Sequence, residues 1–214
     1  MYQLAMLFGV LATVVLHCWR AKKYNLTTVQ AITFSVVMAS VGFLGSKGLY
    51  ILEHLPGSLN SNFTIAGQSF YGLLFLVAIC SVLLGHFWGL KVDERTDICA
   101  PPLALFMVFL RIGCMTAGCC AGIYLGNFQV PTQLIEAIAN AGLLSLLLYY
   151  EAVDKWRGIR YPGFMLLYGS FRFFIEFFRA SEADICGLSK GQWLSLAAIF
   201  VGIVWIARVR RRKK

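Results

Sequence analysis

The sequence predicts an all-α integral membrane protein with seven transmembrane helices, its N-terminus outside and its C-terminus in the cytoplasm. The 214 residues are 59% hydrophobic and 14% charged, whereas soluble domains contain about 25% charged residues. Mean hydropathy is high, at +0.72. Seven apolar segments have roughly the length of about 20 residues that a bilayer requires. They lie at about 2–18, 29–51, 68–88, 101–123, 133–150, 162–180 and 191–208. We expect a single transmembrane domain over residues 1–214.

The orientation follows from the basic residues, which are concentrated on alternate connections. They lie just after the first span, in the loops at 89–100 and 151–161, and in the C-terminal tail. The other three connections contain one basic residue, Lys190. Cytoplasmic loops carry the excess of Lys and Arg, so the N-terminus is predicted outside. The tail accounts for much of the net charge of +9, and we interpret it as a topology signal rather than a nucleic-acid interface.

The first apolar segment is interpreted as a retained helix, because its basic residues follow it instead of preceding it as in a signal peptide. The seven cysteines do not resemble a disulfide framework, since the chain is neither small nor rich in loops. Cys119 and Cys120 are adjacent, but no histidine or carboxylate lies nearby at ligand spacing. No metal site is therefore predicted.

A run of aromatic residues at 168–179 contains charged side chains inside a segment with the hydropathy of a span. Arg172, Glu176 and Arg179 have the i, i+4, i+7 spacing of one helix face. Charged groups inside a membrane are costly and usually mark functional sites. An internal salt bridge joining two helices is the alternative. Two arginines and one glutamate leave a positive charge without a counterion, which favours an anion site.

The predicted topology also gives each intramembrane polar residue a depth, and most of the costly ones fall in the outer half of the bilayer. They are Lys47, Ser69, Tyr71, Arg111, Gln133, Glu136, Arg172, Glu176, Arg179 and Gln192. On this basis we predict one polar chamber that opens towards the outer leaflet. Its cations outnumber its carboxylates, so an anionic ligand is expected, and a phospholipid headgroup is the anion present at that depth. Tyr71 considered alone is also compatible with an ordinary interfacial aromatic residue.

The second half of span four is rich in small residues, from Gly113 to Gly122. Small residues let helix backbones approach closely. Tight helix packing and the floor of a substrate chamber are both compatible with this composition.

Five motifs in this order resemble the prolipoprotein diacylglyceryl transferase family of bacterial inner-membrane enzymes. They are Gly67-Gln68-Ser69-Phe70-Tyr71-Gly72, the stretch from Asp97 to Gly122 with Leu110-Arg111-Ile112-Gly113, Pro131-Thr132-Gln133-Leu134-Ile135-Glu136, Tyr168 to Arg179, and Leu188 to Ser195. The resemblance covers roughly Gly42 to Ser195. It implies seven spans with the N-terminus outside, and transfer of the diacylglyceryl group of phosphatidylglycerol to the lipobox cysteine of a preprolipoprotein. That reaction forms a thioether and releases glycerol phosphate at the outer face of the membrane.

The resemblance also implies residue roles. Arg111 and Arg172 correspond to the two essential arginines, Glu176 and Arg179 complete the motif of span six, and Gly122 closes the glycine-rich motif. The chain departs from many members in having Tyr71 where they have histidine, and from better-known members in having Cys114 and Cys119 where they have asparagine and glutamate.

From these roles we assign Arg111 and Arg172 to the phosphate, with Glu136 and Glu176 orienting the guanidinium groups. Tyr71 is the candidate catalytic base, and His54 is a second candidate. The expected substrate-binding residues are Arg179, Glu136, Gln133, Ser69, Gly122, Lys47 and Gln192. No cofactor is implied. Two alternatives remain open: a transferase of the same fold with another lipid or acceptor, and a non-enzymatic lipid-binding or transport protein.

Overall fold

The structure, a computed structural model, describes residues 2–53, 70–91, 94–179 and 186–212. Two residues singled out above, Ser69 and His54, lie outside the described residues. The described chain is mostly helical. The helices are α1 (Tyr2–Ala21), α2 (Thr28–Glu53), α3 (Phe70–Phe87), α4 (Ala100–Ala117), α5 (Thr132–Ala152), α6 (Arg160–Ile175) and α7 (Lys190–Arg212). A short antiparallel hairpin, β1 (Tyr124–Leu125) with β2 (Phe128–Gln129), joins α4 to α5. The sequence did not predict this hairpin.

Each helix coincides with one predicted span, although the helices differ in their capacity to cross a bilayer. Five segments are long and apolar enough to do so: Tyr2–Tyr24, Thr28–Leu52, Ala100–Ala117, Thr132–Ala152 and Lys190–Arg212. Two helices fall outside this group: α3, whose apolar segment Tyr71–Phe87 is shorter than 18 residues, and α6, which has 16 residues. The chain is therefore a multi-pass membrane protein, and the count of seven spans remains a prediction.

Helix pairing along the chain forms the core. The most extensive contacts join α6 to α7, α1 to α4, α2 to α3 and α4 to α5. Large apolar side chains such as Phe34, Leu74, Met107 and Phe164 are fully buried between the helices. Many equally large ones face outwards, as is required of a surface that contacts lipid instead of water.

Two predicted spans end earlier than expected. The helix of span four ends at Ala117, because Gly118 adopts the left-handed conformation (φ 67°) and its N–H is directed back to the carbonyls of Cys114 and Met115. Residues 118–123 were predicted to be helical, and that prediction is wrong. Span six was predicted to continue to residue 180, but α6 passes into a 3₁₀ turn at Glu176–Phe178, and Arg179 is extended.

At one end of the helix bundle, charged residues form a buried network. Arg20 on α1 forms a bidentate salt bridge with Glu151 on α5, and both nitrogen–oxygen distances are 2.7 Å. Its third nitrogen donates to the Ile98 carbonyl at 2.8 Å. The Tyr24 hydroxyl also donates to Glu151. This network fixes the end of α1 to the end of α5 and to the segment that precedes α4.

Asp97 occupies the same end and organises the start of α6. Its carboxylate accepts the backbone N–H groups of Gly158, Arg160 and Tyr161 at 2.5, 2.9 and 3.2 Å. Burial raises the pKa of Asp97 to about 6, against the opposing effect of these N–H donors and of the Arg160 guanidinium. The carboxylate is therefore mostly ionised at neutral pH. Arg20 and Arg160, counted above as topology signals, are also internal ion-pair partners.

We predict that Glu151→Ala destabilises the protein strongly, because it leaves Arg20 buried without its carboxylate partner and removes one of the carboxylates near Arg160. Breaking a buried pair on one side costs about 3–5 kcal/mol in the free energy of unfolding. Thermal unfolding in detergent, followed by tryptophan fluorescence, measures the effect.

The matched control is Asp154→Ala. Asp154 also contacts Arg160, at 3.4 Å, but its side chain is 63% exposed. Exposed pairs contribute about 1 kcal/mol or less, so the unfolding temperature should change little. Equal shifts in the two variants would contradict the importance of the buried network.

Candidate active site

At the other end of α5, a single carboxylate contacts three arginines. The Glu136 carboxylate lies 2.8 Å from Arg111 Nε on α4, 3.2 Å from Arg172 Nη1 on α6 and 3.5 Å from Arg179 Nη1 beyond the 3₁₀ turn. Glu136 therefore connects α4, α5 and the end of α6. The structure brings together residues that the sequence had placed in one chamber by depth alone.

A second carboxylate, Glu176, completes this five-residue charged cluster. It lies 2.8 Å from Arg172 Nη2 and 3.6 Å from Arg179 Nε. The Ser189 hydroxyl donates to its other oxygen at 3.2 Å. Ser189 precedes α7, so Glu176 also connects the charged cluster to that helix.

The charged cluster is buried and keeps a net positive charge. Glu136 is 0% exposed, Arg111 6% and Arg172 8%. Three guanidinium groups and two carboxylates leave one positive charge within these five residues. Salt bridges join α4, α5 and α6, as the alternative interpretation of an internal salt bridge between helices predicted. They still leave positive charge for an anion.

Arg179 reaches the charged cluster through backbone pairing with a distant part of the chain. Gly122 and Arg179 form an antiparallel β-bridge, and the Ile123 N–H donates to the Phe178 carbonyl at 2.9 Å. The Gly122 N–H donates to the Val130 carbonyl at 3.1 Å. A Cβ on Gly122 would lie 2.4 Å from the Val130 oxygen and 2.8 Å from the Phe178 oxygen. Only glycine fits at this position. The close approach joins two extended segments, whereas the small residues of span four had suggested close packing of helices.

The start of α5 holds the turn that follows α4. The Thr132 hydroxyl donates to the Cys120 carbonyl at 2.9 Å, and the Gln133 amide donates to the Cys119 carbonyl at 2.8 Å. Gln133 was expected to bind substrate. In the structure its side chain supports the turn beside the charged cluster.

The remaining predicted residues surround the charged cluster at different distances. The Tyr71 hydroxyl is hydrogen-bonded to Ser195 on α7, and Tyr71 is near enough to Arg172 and Glu176 to interact with them electrostatically. Gln192 forms a reciprocal capping box with Ser189 at the start of α7, with distances of 2.9 and 3.2 Å.

Lys47 is buried on α2, with its ammonium group 5.8 Å from the centre of the Tyr50 ring. Its role in substrate binding stays a prediction.

A cavity of about 510 Å³ reaches the charged cluster from one side, lined by residues 120–124 with Gln129 and Arg179. Arg111 and Arg172 are not among its lining residues. Gly122 and Arg179 line the cavity, and Arg111 and Arg172 are buried. A single chamber lined by all the predicted polar residues stays a prediction, and Ser69 lies outside the described residues.

Sequence reasoning missed three residues at this site. Tyr168 lies against Arg111, Asn140 donates to the Glu136 carbonyl at 2.7 Å, and Ser189 binds Glu176. Two local signals could have identified them. Tyr168 and Asn140 lie four residues from Arg172 and Glu136, and Ser189 opens a capping-box pattern with Gln192.

We predict that Gly122→Ala disrupts the bridge to Arg179 and lowers the unfolding temperature, because the added Cβ meets backbone oxygens that cannot move independently. Overpacking of this kind costs about 1–3 kcal/mol. Gly142→Ala on α5 is the control, since a Cβ there has nothing within 4 Å and alanine favours helix. Thermal unfolding in detergent compares the two, and an unchanged transition for Gly122→Ala would contradict the tight approach.

Comparison with known proteins agrees with this arrangement. The family model for prolipoprotein diacylglyceryl transferase matches residues 1–208. The phosphatidylglycerol–prolipoprotein diacylglyceryl transferase of Clostridium tetani is 29% identical over 227 residues, which cover 96% of this chain and 91% of the relative. A second such transferase, from Clostridium perfringens, is 28% identical over 96% of this chain and 90% of its own. That of Nitrosomonas europaea is 34% identical over 64% of this chain and 56% of its own. The family match extends over nearly the whole chain and includes the charged cluster, so the chain belongs to the prolipoprotein diacylglyceryl transferase family and is a transferase.

Proposed function

We propose that this protein transfers the diacylglyceryl group of phosphatidylglycerol to the lipobox cysteine thiol of a preprolipoprotein. The transfer takes place at the outer leaflet of the bacterial inner membrane and releases glycerol phosphate. The observation that carries the proposal is the buried charged cluster with its excess positive charge, because the reaction must hold a phosphate in a water-poor site. The names of the relatives, which specify phosphatidylglycerol and prolipoprotein, support the choice of substrates.

Arg111 and Arg172 bind the lipid phosphate in this proposal. Arginine suits this role because its planar guanidinium stays protonated and can bind two phosphate oxygens at once. Glu136 contacts both side chains, and Glu176 holds Arg172 from the other side. The carboxylates thereby fix the guanidinium groups before the substrate arrives, and preorganised charge of this kind stabilises a leaving group without reorganisation.

The chemical step is a displacement at the glyceryl carbon that carries the phosphate. The acceptor sulfur forms the new carbon–sulfur bond while the carbon–oxygen bond to the phosphate breaks and its electron pair stays on the departing oxygen. The thiol proton passes to a base. Tyr71 is assigned to that role, and it can take the proton only as its phenolate, the form that the neighbouring Arg172 guanidinium favours.

The remaining assigned residues would position the two substrates. Arg179 and Gly122 line the cavity, which we take as the route to the charged cluster. Gln133 holds the turn that leads into the cavity lining, and Gln192 holds Ser189, which contacts Glu176 of the charged cluster. Lys47 and Ser69 are assigned to the same task because of their predicted depth in the outer leaflet.

All seven helices are proposed to cross the bilayer within one transmembrane domain, with the N-terminus outside and the C-terminus in the cytoplasm. The distribution of basic residues supports this orientation. It places the charged cluster on the outer side and the Arg20–Glu151 network on the inner side, since the two lie at opposite ends of α5.

We predict that Arg111→Ala and Arg172→Ala each lower the rate of transfer by about 100- to 1000-fold, the loss typical of removing one group that stabilises developing charge. The assay uses purified protein in detergent with phosphatidylglycerol and a lipobox peptide. It measures release of glycerol phosphate and a peptide mass gain of one diacylglyceryl group.

Arg210→Ala is the matched control, because Arg210 is exposed near the end of α7 and should leave transfer unchanged. Full activity in both cluster variants would overturn the assignment of the arginines. Glycerol phosphate release without any gain of peptide mass would instead favour a transferase of this family with another acceptor.

The topology gives a second prediction. In a variant whose other six cysteines are replaced by serine, a membrane-impermeant maleimide should label the exposed Cys186 from outside intact spheroplasts. In a cysteine-free variant carrying Arg212→Cys, labelling should require permeabilisation. The reverse pattern would show the opposite orientation.

A further inference from the structure

Three cysteines from one short stretch of the chain, residues 114–120, have their sulfur atoms close together beside the charged cluster. The Sγ atoms of Cys114, Cys119 and Cys120 all lie within 4.8 Å of one another. All three are free thiols. Cys114 is buried on the last turn of α4, Cys120 is half-buried and Cys119 is exposed. The group will be called the thiol cluster.

The backbone that builds the thiol cluster is fixed from several directions. After α4 ends at Gly118, the Cys119 N–H donates to the Cys114 carbonyl at 3.2 Å. Cys120 adopts a positive φ of 62°, which is uncommon and mildly strained for a residue with a side chain. Thr132 and Gln133 hold the carbonyls of Cys120 and Cys119. The turn is therefore anchored by α5 in the conformation that brings the three sulfurs together.

We propose that Cys114, Cys119 and Cys120 form a three-thiolate site for a soft divalent metal ion, of which Zn²⁺ is the representative. Zinc–sulfur bonds of about 2.3 Å in a tetrahedral site place the sulfurs about 3.8 Å apart. The thiol cluster therefore needs to contract by about 1 Å or less, which side-chain rotation can supply. Three protein ligands leave one position for water or another ligand, and Cys120 lines the open cavity.

Positively charged side chains lie beside the thiol cluster. Arg111 and Arg179 interact electrostatically with Cys120, and Arg179 is within hydrogen-bonding range of it. A divalent ion with three thiolates carries one negative charge. The charged cluster beside it carries one excess positive charge, so the loaded site and the arginines neutralise each other.

The experiment titrates the full-length protein, purified in detergent, fully reduced and freed of metal with a chelator, with Zn²⁺ and with Co²⁺ as a spectroscopic substitute. We expect one ion per chain at micromolar free metal, with the thiolate-to-cobalt charge-transfer absorption that cysteine ligation produces. X-ray absorption of the zinc-loaded protein should show three sulfur neighbours at about 2.3 Å.

Serine replacements identify the ligands. Cys119→Ser and Cys120→Ser should each weaken metal binding more than tenfold, and the triple replacement including Cys114→Ser should abolish it. Cys186→Ser and Cys18→Ser are the controls, because these free cysteines lie outside the thiol cluster and should leave binding unchanged.

Three outcomes would overturn the proposal: no binding at micromolar metal, unchanged binding in the triple variant, or a zinc environment of oxygen and nitrogen alone. The X-ray absorption measurement uses the unmodified protein, so it decides the matter even where a variant folds poorly. None of these readouts depends on transferase activity.

Discussion

The contact of one glutamate with three arginines is the interaction on which one end of the helix bundle depends. Arginine in an apolar interior is stable only where opposite charge and hydrogen bonds replace water. Glu136 supplies that charge to Arg111, Arg172 and Arg179, which come from α4, α6 and the extended segment after α6. The helices that pack around Glu136 are therefore the helices that carry the site. The contact that joins these helices also creates the proposed anion site.

A comparison of the two ends of α5 separates a structural ion-pair network from a binding site. Glu151 and Glu136 are about 22 Å apart at 1.5 Å per residue along the helix, and both meet buried arginines. At the Glu151 end, Arg20 and Arg160 are balanced by Glu151 and Asp97, so these four residues have no net charge. At the Glu136 end the charged cluster keeps one positive charge. Only the second end has an electrostatic reason to bind a phosphate.

Hydropathy and local spacing predicted the parts of this structure that depend on neighbouring residues. The positions of the helices followed from apolar segments, and the contact between Arg172 and Glu176 followed from their i, i+4 spacing. The position of Arg179 could not be predicted from local spacing, because it depends on a backbone bridge to Gly122, more than fifty residues earlier in the chain. The early end of α4 had a local signal in Gly118, but the apolar residues around it also fitted a longer helix. Predictions failed where pairing between distant segments replaced helix.

The thiol cluster shows the same limit, and it also bears on the chemistry of the charged cluster. The sequence predicts Cys114 within a helix, and it has no histidine or carboxylate at ligand spacing near the Cys119–Cys120 pair. The turn after Gly118, held by Thr132 and Gln133, brings the three sulfurs together. A metal ion held by three thiolates and a lipid phosphate would both draw on the positive charge of Arg111 and Arg179. Because coupling between two binding sites is reciprocal, each of these two anionic groups should weaken the binding of the other.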